Sequence, residues 1–243
     1  MAIKHILIDL DDTVYDFHRA EKISISKTLA EFGVEPTEAV VKRYSVINSE
    51  CWRMLEKGVM TREQILVERF KRLFDELGVG VNADEARRKY ETNLSECAYT
   101  VEGAMELIHA LRGEGKYTVS IASNGTARVQ DKRIAKGGIA PLFDRIFISE
   151  RTGAAKPSLK FFDKCLEVLG AKDRREVIII GDSLSSDIAG GIAAGIWTCH
   201  FNPKGKITVG EIKPDFSVSR LSDVLTVLDI INEKRNSSSP KGN

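Results

Sequence analysis

The sequence predicts an α/β fold: a doubly wound parallel sheet with an all-helical cap inserted after the first strand. Three observations carry that prediction. Short apolar runs rich in β-branched residues recur along the chain, and some are apolar at consecutive positions, as in Val177-Ile178-Ile179-Ile180. Such runs suit strands covered on both faces, the habit of parallel sheets. Helical patterns lie between the later runs, and alternating strand and helix is the mark of a doubly wound sheet. The stretch from residue 16 to residue 97 breaks the alternation and reads as helix after helix, with no convincing strand.

Taken in order, strands are expected at 5–10, 118–123, 145–149, 176–181 and 197–201. Helices are expected between the later ones, at 101–113, 126–136, 159–169 and 185–194. Inside the insertion the helical segments are 20–32, 38–56, 61–77 and 83–96. Turn signals separate them: Gly33 with Pro36, Gly58, and Gly78 with Gly80. Thr61 stands where it can cap a helix through a residue one turn on, within Thr61-Arg62-Glu63-Gln64. The expected organisation is therefore a core from 1–15 and 98–235, a helical cap from 16–97, and a disordered tail from 236–243. That tail, NSSSPKGN, has no apolar content.

Composition narrows the function classes. The chain has 243 residues, enough to bury a sizeable core, with 42% hydrophobic and 29% charged residues. A formal net charge of +1 gives no support for binding a nucleic-acid polymer or a membrane surface. No apolar run approaches the ~18 residues a membrane span needs. Asp9, Asp11 and Asp12 interrupt the opening apolar run, so no secretory signal is read there, and a cytoplasmic location is expected. Cys51, Cys97, Cys165 and Cys199 are scattered and are expected to be free thiols in that compartment.

Four positions concentrate chemistry at strand ends, where open α/β sheets bind ligands. The first is Asp9-Leu10-Asp11-Asp12-Thr13. In an extended chain Asp9 and Asp11 project to one side. Crowded carboxylates need a cation or a shared proton, and Mg2+ is the usual cation beside phosphate. A helix N-cap is the plain alternative. The second is Ser123-Asn124-Gly125-Thr126, where a hydroxyl and successive backbone N–H groups could form an anion nest, or simply a turn. The third is Lys156-Pro157, a positive charge for a phosphate or a solvated lysine. The fourth is Gly181-Asp182-Ser183 through Asp187. Asp182 could complete a cation site with Asp9, and Asp187 could hold Lys156 or a metal-bound water. N-capping is again the alternative for Asp182 or Ser183. Singly these signals are modest; their joint placement at successive strand ends is what points to one site.

The order DxDxT, then Ser123, then Lys156-Pro157, then GDxxxxD resembles the motif set of the haloacid dehalogenase-like (HAD) hydrolase superfamily. The resemblance covers nearly the whole chain. The insertion resembles the C1-type cap of subfamily I, which implies a HAD-like Rossmannoid core. INSECWRMLEKGVMTREQILVERF, SERTGAAKPSLKFF and GDSLSSDIAGGIAAGIWTCHFNP are similar to the YjjG/YfnB-type 5′-nucleotidase branch.

The resemblance implies a Mg2+-dependent phosphatase that forms an aspartyl-phosphate and acts on a small phosphorylated metabolite, a nucleoside 5′-monophosphate with a pyrimidine or non-standard base. By that resemblance Asp9 is the nucleophile and Asp11 the general acid and base. Asp9, the Asp11 backbone carbonyl and Asp182 hold the metal. Ser123, Asn124 and Lys156 bind phosphate, and Asp187 supports them. The cap is expected to close over the substrate and choose the leaving group. Trp52 could stack on a base there, although helix packing is the plainer role. Arg62 and Arg69 could reach a substrate or be solvated. A sugar-phosphate phosphatase shares the same core chemistry and is the alternative. A phospho-accepting signalling domain is remote, because the insertion is too large and a fourth acid follows a later strand. A dehalogenase would not need Asp11 and Asp182. The four histidines are assigned no chemistry, and Gly190 to Gly195 are read as close-packing positions.

Overall fold

The computed structural model describes residues 2–205 and 211–237. The chain divides into two compact units. A sheet unit takes Met1–Asp16, Thr100–Ala127 and Gly138–Asn243, and a helical unit takes Phe17–Tyr99 and Arg128–Gly137.

The sheet unit is built on six parallel strands. They are β1 (His5–Ile8), β2 (Thr118–Ser123), β3 (Arg145–Ile148), β4 (Val177–Gly181), β5 (Trp197–Phe201) and β6 (Phe216–Val218), in the order β3-β2-β1-β4-β5-β6. β4 is apolar along its whole length and β1 from Ile6 to Ile8, as suits strands covered on both faces. Leu7 of β1 pairs in register with Ile179 of β4. Both join Val177 in a cluster with Phe161, Phe162, Cys165 and Leu166 of a flanking helix, Leu159–Leu169. Their alternates Ile6, Ile8, Ile178 and Ile180 are as deeply buried. From β1 the chain runs outward to β2 on one side and later to β4 on the other. That makes the carboxyl ends of β1 and β4 the switch point of the sheet, where a crevice opens.

Helices α1 (Phe17–Glu31), α2 (Glu38–Glu56), α3 (Arg62–Leu77) and α4 (Ala83–Ser95) make up most of the helical unit. Local chemistry sets their starts. Thr37 caps α2 by accepting from Val40 N–H, and Asn82 caps α4 by accepting from Glu85 N–H. Thr61 and Gln64 form a reciprocal capping box at α3. Gly78 ends α3 in the left-handed conformation that favours glycine. After α5 (Ala104–Gly113) and β2 comes α6 (Ala127–Lys136), whose residues from Arg128 onward group with the helical unit rather than with the sheet. Val129 packs in the helical unit's apolar core, and Arg133 donates to the Cys97 carbonyl at 2.9 Å. The remaining helices of the sheet unit are α7 (Ser149–Thr152), α8 (Leu159–Leu169), α9 (Ala189–Ala193) and α10 (Asp223–Ser237).

Several local expectations are corrected. The first strand ends at Ile8, so Asp9 and Leu10 lie beyond it. The expected helix at 185–194 is a π-helical turn, Leu184–Ile188, followed by the short α9. Strand β6 and helix α10 were not read from the sequence at all. Helix α10 runs through Ser237, two residues into the expected tail; residues 238–243 lie outside the described residues. The four cysteines are unpaired and buried. Among the described residues no helix is long and apolar enough to cross a membrane.

Arg69 is neither solvated nor exposed: it is 3% accessible. Its Nη1 donates to Asn48 Oδ1 at 2.9 Å, and Asn48 Nδ2 donates to Glu21 Oε1 at 2.7 Å. Ser45 Oγ donates to the other oxygen of Glu21. The guanidinium lies over the rings of Tyr90 and Phe70, 4.9 and 5.2 Å from their centroids. The relay ties α1, α2 and α3 together through one buried cation and one buried carboxylate. Arg69→Met fills similar space but strands the Asn48 carbonyl and the Glu21 charge. It is expected to lower stability by about 3 kcal/mol in urea unfolding, as removal of one partner of a buried charged pair does. A loss below about 0.5 kcal/mol, the scale of a surface change, would show the relay contributes nothing.

Candidate active site

Asp9 is the first residue past β1, and its N–H still donates to the Ile180 carbonyl at 2.9 Å. The β1–β4 ladder therefore fixes its backbone. The chain then turns tightly: Val14 and Tyr15 N–H both return to the Leu10 carbonyl, and Asp12 N–H donates to Tyr15 O. Asp12 takes φ +60°, a left-handed conformation that aspartate tolerates better than most residues. Thr13 is buried within this turn, and no partner for its hydroxyl is seen among the described residues.

Lys156 enters the same crevice with its side chain 1% accessible. Its ammonium has three hydrogens and three acceptors: Asp9 Oδ1 at 2.5 Å, Asp187 Oδ1 at 2.6 Å and the Ala122 carbonyl at 2.6 Å. Burial works against the positive charge, but the Asp187 and Asp9 carboxylates outweigh it and raise the lysine further above its ordinary value. The lysine thus spends two hydrogens on the acids and the third on a backbone carbonyl.

Asn124 has a role that sequence reasoning missed. Its amide oxygen accepts from the Lys156 N–H at 2.9 Å, and its amide nitrogen donates to the Lys156 carbonyl at 2.8 Å. The side chain clamps the lysine backbone from both sides, across 32 residues of sequence. Beside it Ser123, buried at the end of β2, accepts from Gly125 N–H at 3.1 Å. Glu150 accepts from Ala127 N–H at the start of α6.

The far wall of the crevice follows β4. Asp187 is wholly buried; Oδ1 meets Lys156 and Oδ2 accepts from Ser183 N–H at 3.2 Å. Gly181 has to be glycine, because a Cβ there would collide with the Asp187 carboxylate. The space is also tight at Gly190, where a Cβ would collide with Phe162, and at Gly191, where it would lie 2.6 Å from Ile179, so these two glycines serve close packing. Asp9, Asp182 and Asp187 bring one carboxylate oxygen each within 4.8 Å of one another. The Asp11 carboxylate is not one of the three; the sequence reading gave Asp11 its backbone carbonyl as a ligand. Trp52 belongs to the helical unit, where it is half-buried against the core with the Arg62 guanidinium 5.7 Å from its ring centroid.

The electrostatics fit a hard divalent cation. Burial pushes the Asp9 carboxyl up to about 8, with Lys156 opposing and Asp187 and Asp11 adding to the rise. Burial, then Asp9 and Asp187, hold Asp182 well above the carboxylate range. Three carboxylates face the one ammonium of Lys156, and oxygen donors so crowded suit Mg2+.

The model for haloacid dehalogenase-like hydrolases matches residues 3–195. The chain belongs to that family. The HAD-hydrolase YfnB of Bacillus subtilis is 34% identical over 227 residues, covering 93% of this chain and 96% of that one. Its crystal structure, described as bound to magnesium and revealing interdomain movement, superposes with a TM-score of 0.88 at 33% identity, covering 94% of this chain and all of the other. The pyrimidine 5′-nucleotidase PynA of Streptococcus pneumoniae is 32% identical, covering 94% of this chain and 96% of its own. The pyrimidine 5′-nucleotidase YjjG of Escherichia coli is 30% identical, covering 92% and 96%.

The raised acids give a test with a definite sign. A carboxyl held near 8 when folded, against about 3.9 unfolded, keeps its proton better in the folded state. Metal-free protein should therefore lose stability from this group as pH rises between those values. A cation must displace that proton, so Mg2+ should raise the thermal midpoint more at pH 8 than at pH 6. Thermal unfolding of chelator-treated protein with and without Mg2+ measures this. An increment independent of pH would contradict the protonated acid pair.

Proposed function

We propose that the chain is a Mg2+-dependent phosphatase that hydrolyses phosphate monoesters through an aspartyl-phosphate on Asp9, with pyrimidine nucleoside 5′-monophosphates as preferred substrates. The observation that carries the reading is Lys156 bridging Asp9 and Asp187, with Asp182 in the same carboxylate cluster. Asp9 is buried, fixed by the ladder and gripped at Oδ1, so its second oxygen serves as the nucleophile and attacks phosphorus in line. Asp11 protonates the leaving alkoxide, then takes a proton from the water that cleaves the acyl-phosphate. Ser123 and the backbone after it hold the equatorial oxygens, and the charge of Lys156 offsets their growing negative charge. Asp9, Asp182 and the Asp11 carbonyl would hold Mg2+, which would supply charge neutralisation and orientation of the phosphate. The substrate class rests on the family branch and on relatives whose names state pyrimidine 5′-nucleotidase. Nothing in the charge balance asks for a polymer or a membrane as partner.

Asp9→Asn should abolish even a single turnover, since an amide is a poor nucleophile. Asp11→Asn should still bind substrate while turnover falls by ~10²-fold or more. Rapid-quench detection of phosphoenzyme decides the assignment; label on any residue but Asp9 would overturn it.

Substrate choice is tested separately, by kcat/KM across nucleoside monophosphates, hexose phosphates and short acyclic phosphates. Pyrimidine 5′-monophosphates should lead. Hexose phosphates ahead of every nucleotide by about tenfold, or 1.4 kcal/mol, would refute the nucleotidase assignment and leave the phosphatase intact. If Trp52 stacks on the base, Trp52→Ala should cost nucleotides roughly 5- to 150-fold in kcat/KM, the worth of about 1–3 kcal/mol of stacking. Equal losses on a small aryl phosphate would mean the ring only packs its helix.

A further inference from the structure

Strand β4 ends at Gly181, which stands in register with His200 of β5. The next carbonyl, that of Asp182, lies past the end of the ladder. A side chain reaches it instead: His200 Nε2 lies 3.1 Å from Asp182 O. A carbonyl can only accept, so Nε2 carries the hydrogen and donates. His200 is 6% accessible, and its Nδ1 has no partner among the described residues. The other edge of the same peptide unit is also held, because Ser183 N–H donates to Asp187 Oδ2. The Asp182–Ser183 peptide is thus pinned at both ends. Its orientation sets where the Asp182 side chain leaves the backbone.

We propose that His200 is a positioning residue for the cation site: its Nε2–H holds the Asp182 carbonyl and thereby aims the Asp182 carboxylate at the position it shares with Asp9. The inference rests on the Mg2+ reading of that cluster. A buried histidine that merely packed would need its volume and nothing else. This one spends its hydrogen on a carbonyl past the end of the ladder, two bonds from a proposed ligand's Cα. Groups that orient ligands from behind commonly contribute 10- to 100-fold in metal affinity.

The experiment measures Mg2+ dissociation constants by calorimetry on chelator-stripped protein without substrate, with kcat and KM taken at saturating Mg2+. His200→Phe keeps the volume and removes the donor; Mg2+ binding should weaken by roughly 10-fold or more, with kcat largely recovered at saturating Mg2+. His200→Gln can place an amide N–H near the same point and should stay within about 3-fold of the parent. His200→Asn, one methylene shorter, should behave like Phe, so the Asn and Gln pair carries the test if Phe does not fold. Parental affinity in both Phe and Asn, or a loss in Gln equal to theirs, overturns the inference. Asp182→Asn separates the two levels. If it too binds Mg2+ as the parent does, the metal assignment falls and takes this inference with it. If it loses Mg2+ while His200→Phe does not, only the role of His200 is wrong.

Discussion

Crowding three carboxylates together, two of them buried, is a problem that the sheet unit solves around a single ammonium. Loss of water pushes Asp9 and Asp182 towards their neutral forms, and each makes the other harder to ionise. Lys156 answers part of that cost by donating to Asp9 and Asp187 at once. Much of the nearby structure keeps the lysine there. Asn124 clamps its backbone, the Ala122 carbonyl takes its third hydrogen, and Gly181 leaves the room that Asp187 needs. The remaining imbalance of negative charge suits a hard cation.

The placement of the acids was legible because strand ends are legible. Consecutive apolar residues such as Val177 to Ile180 mark a doubly covered strand, and an acid directly after one has no packing reason to be there. The five longer strands and the main helices follow from the same patterns. What the sequence hid is tertiary. Phe216-Ser217-Val218 is three residues long and forms a strand only because Phe201 and its neighbours offer an edge to pair with. The Ser-Ser run before Asp187 reads as an ordinary helix start; the wider π turn arises where Ser183 accepts from both Asp187 and Ile188. Asn124 reads as half of an Asn-Gly turn, and nothing local announces a partner 32 residues away.

Arg69 shows the same limit from the other direction. An arginine among Glu68, Lys71 and Arg72 has the look of a solvated helix face. Its burial is decided by Asn48 on another helix and by the rings of Tyr90 and Phe70. A cation placed among aromatic rings and one amide relay is a costly way to stabilise four helices, since a well-packed apolar core could do as much. Its geometric demand is stricter, because α1, α2 and α3 must keep one register for every hydrogen bond to be made. The site-bearing unit and the helical unit therefore each contain a buried charge network, and each network is closed by residues far apart in sequence.

The buried thiols turn this division into something that can be timed. Cys51 and Cys97 lie in the helical unit, Cys165 and Cys199 in the sheet unit. Burial pushes the thiols of Cys165 and Cys199 up to about 12 and raises Cys51 as well, so almost none is thiolate at neutral pH. The thiolate is the reactive form, so an alkylating probe waits until the surrounding structure opens. Each unit thus carries its own pair of slow clocks, and the labelling rate of each cysteine reads the free energy of opening its own half of the chain, with no engineered reporter.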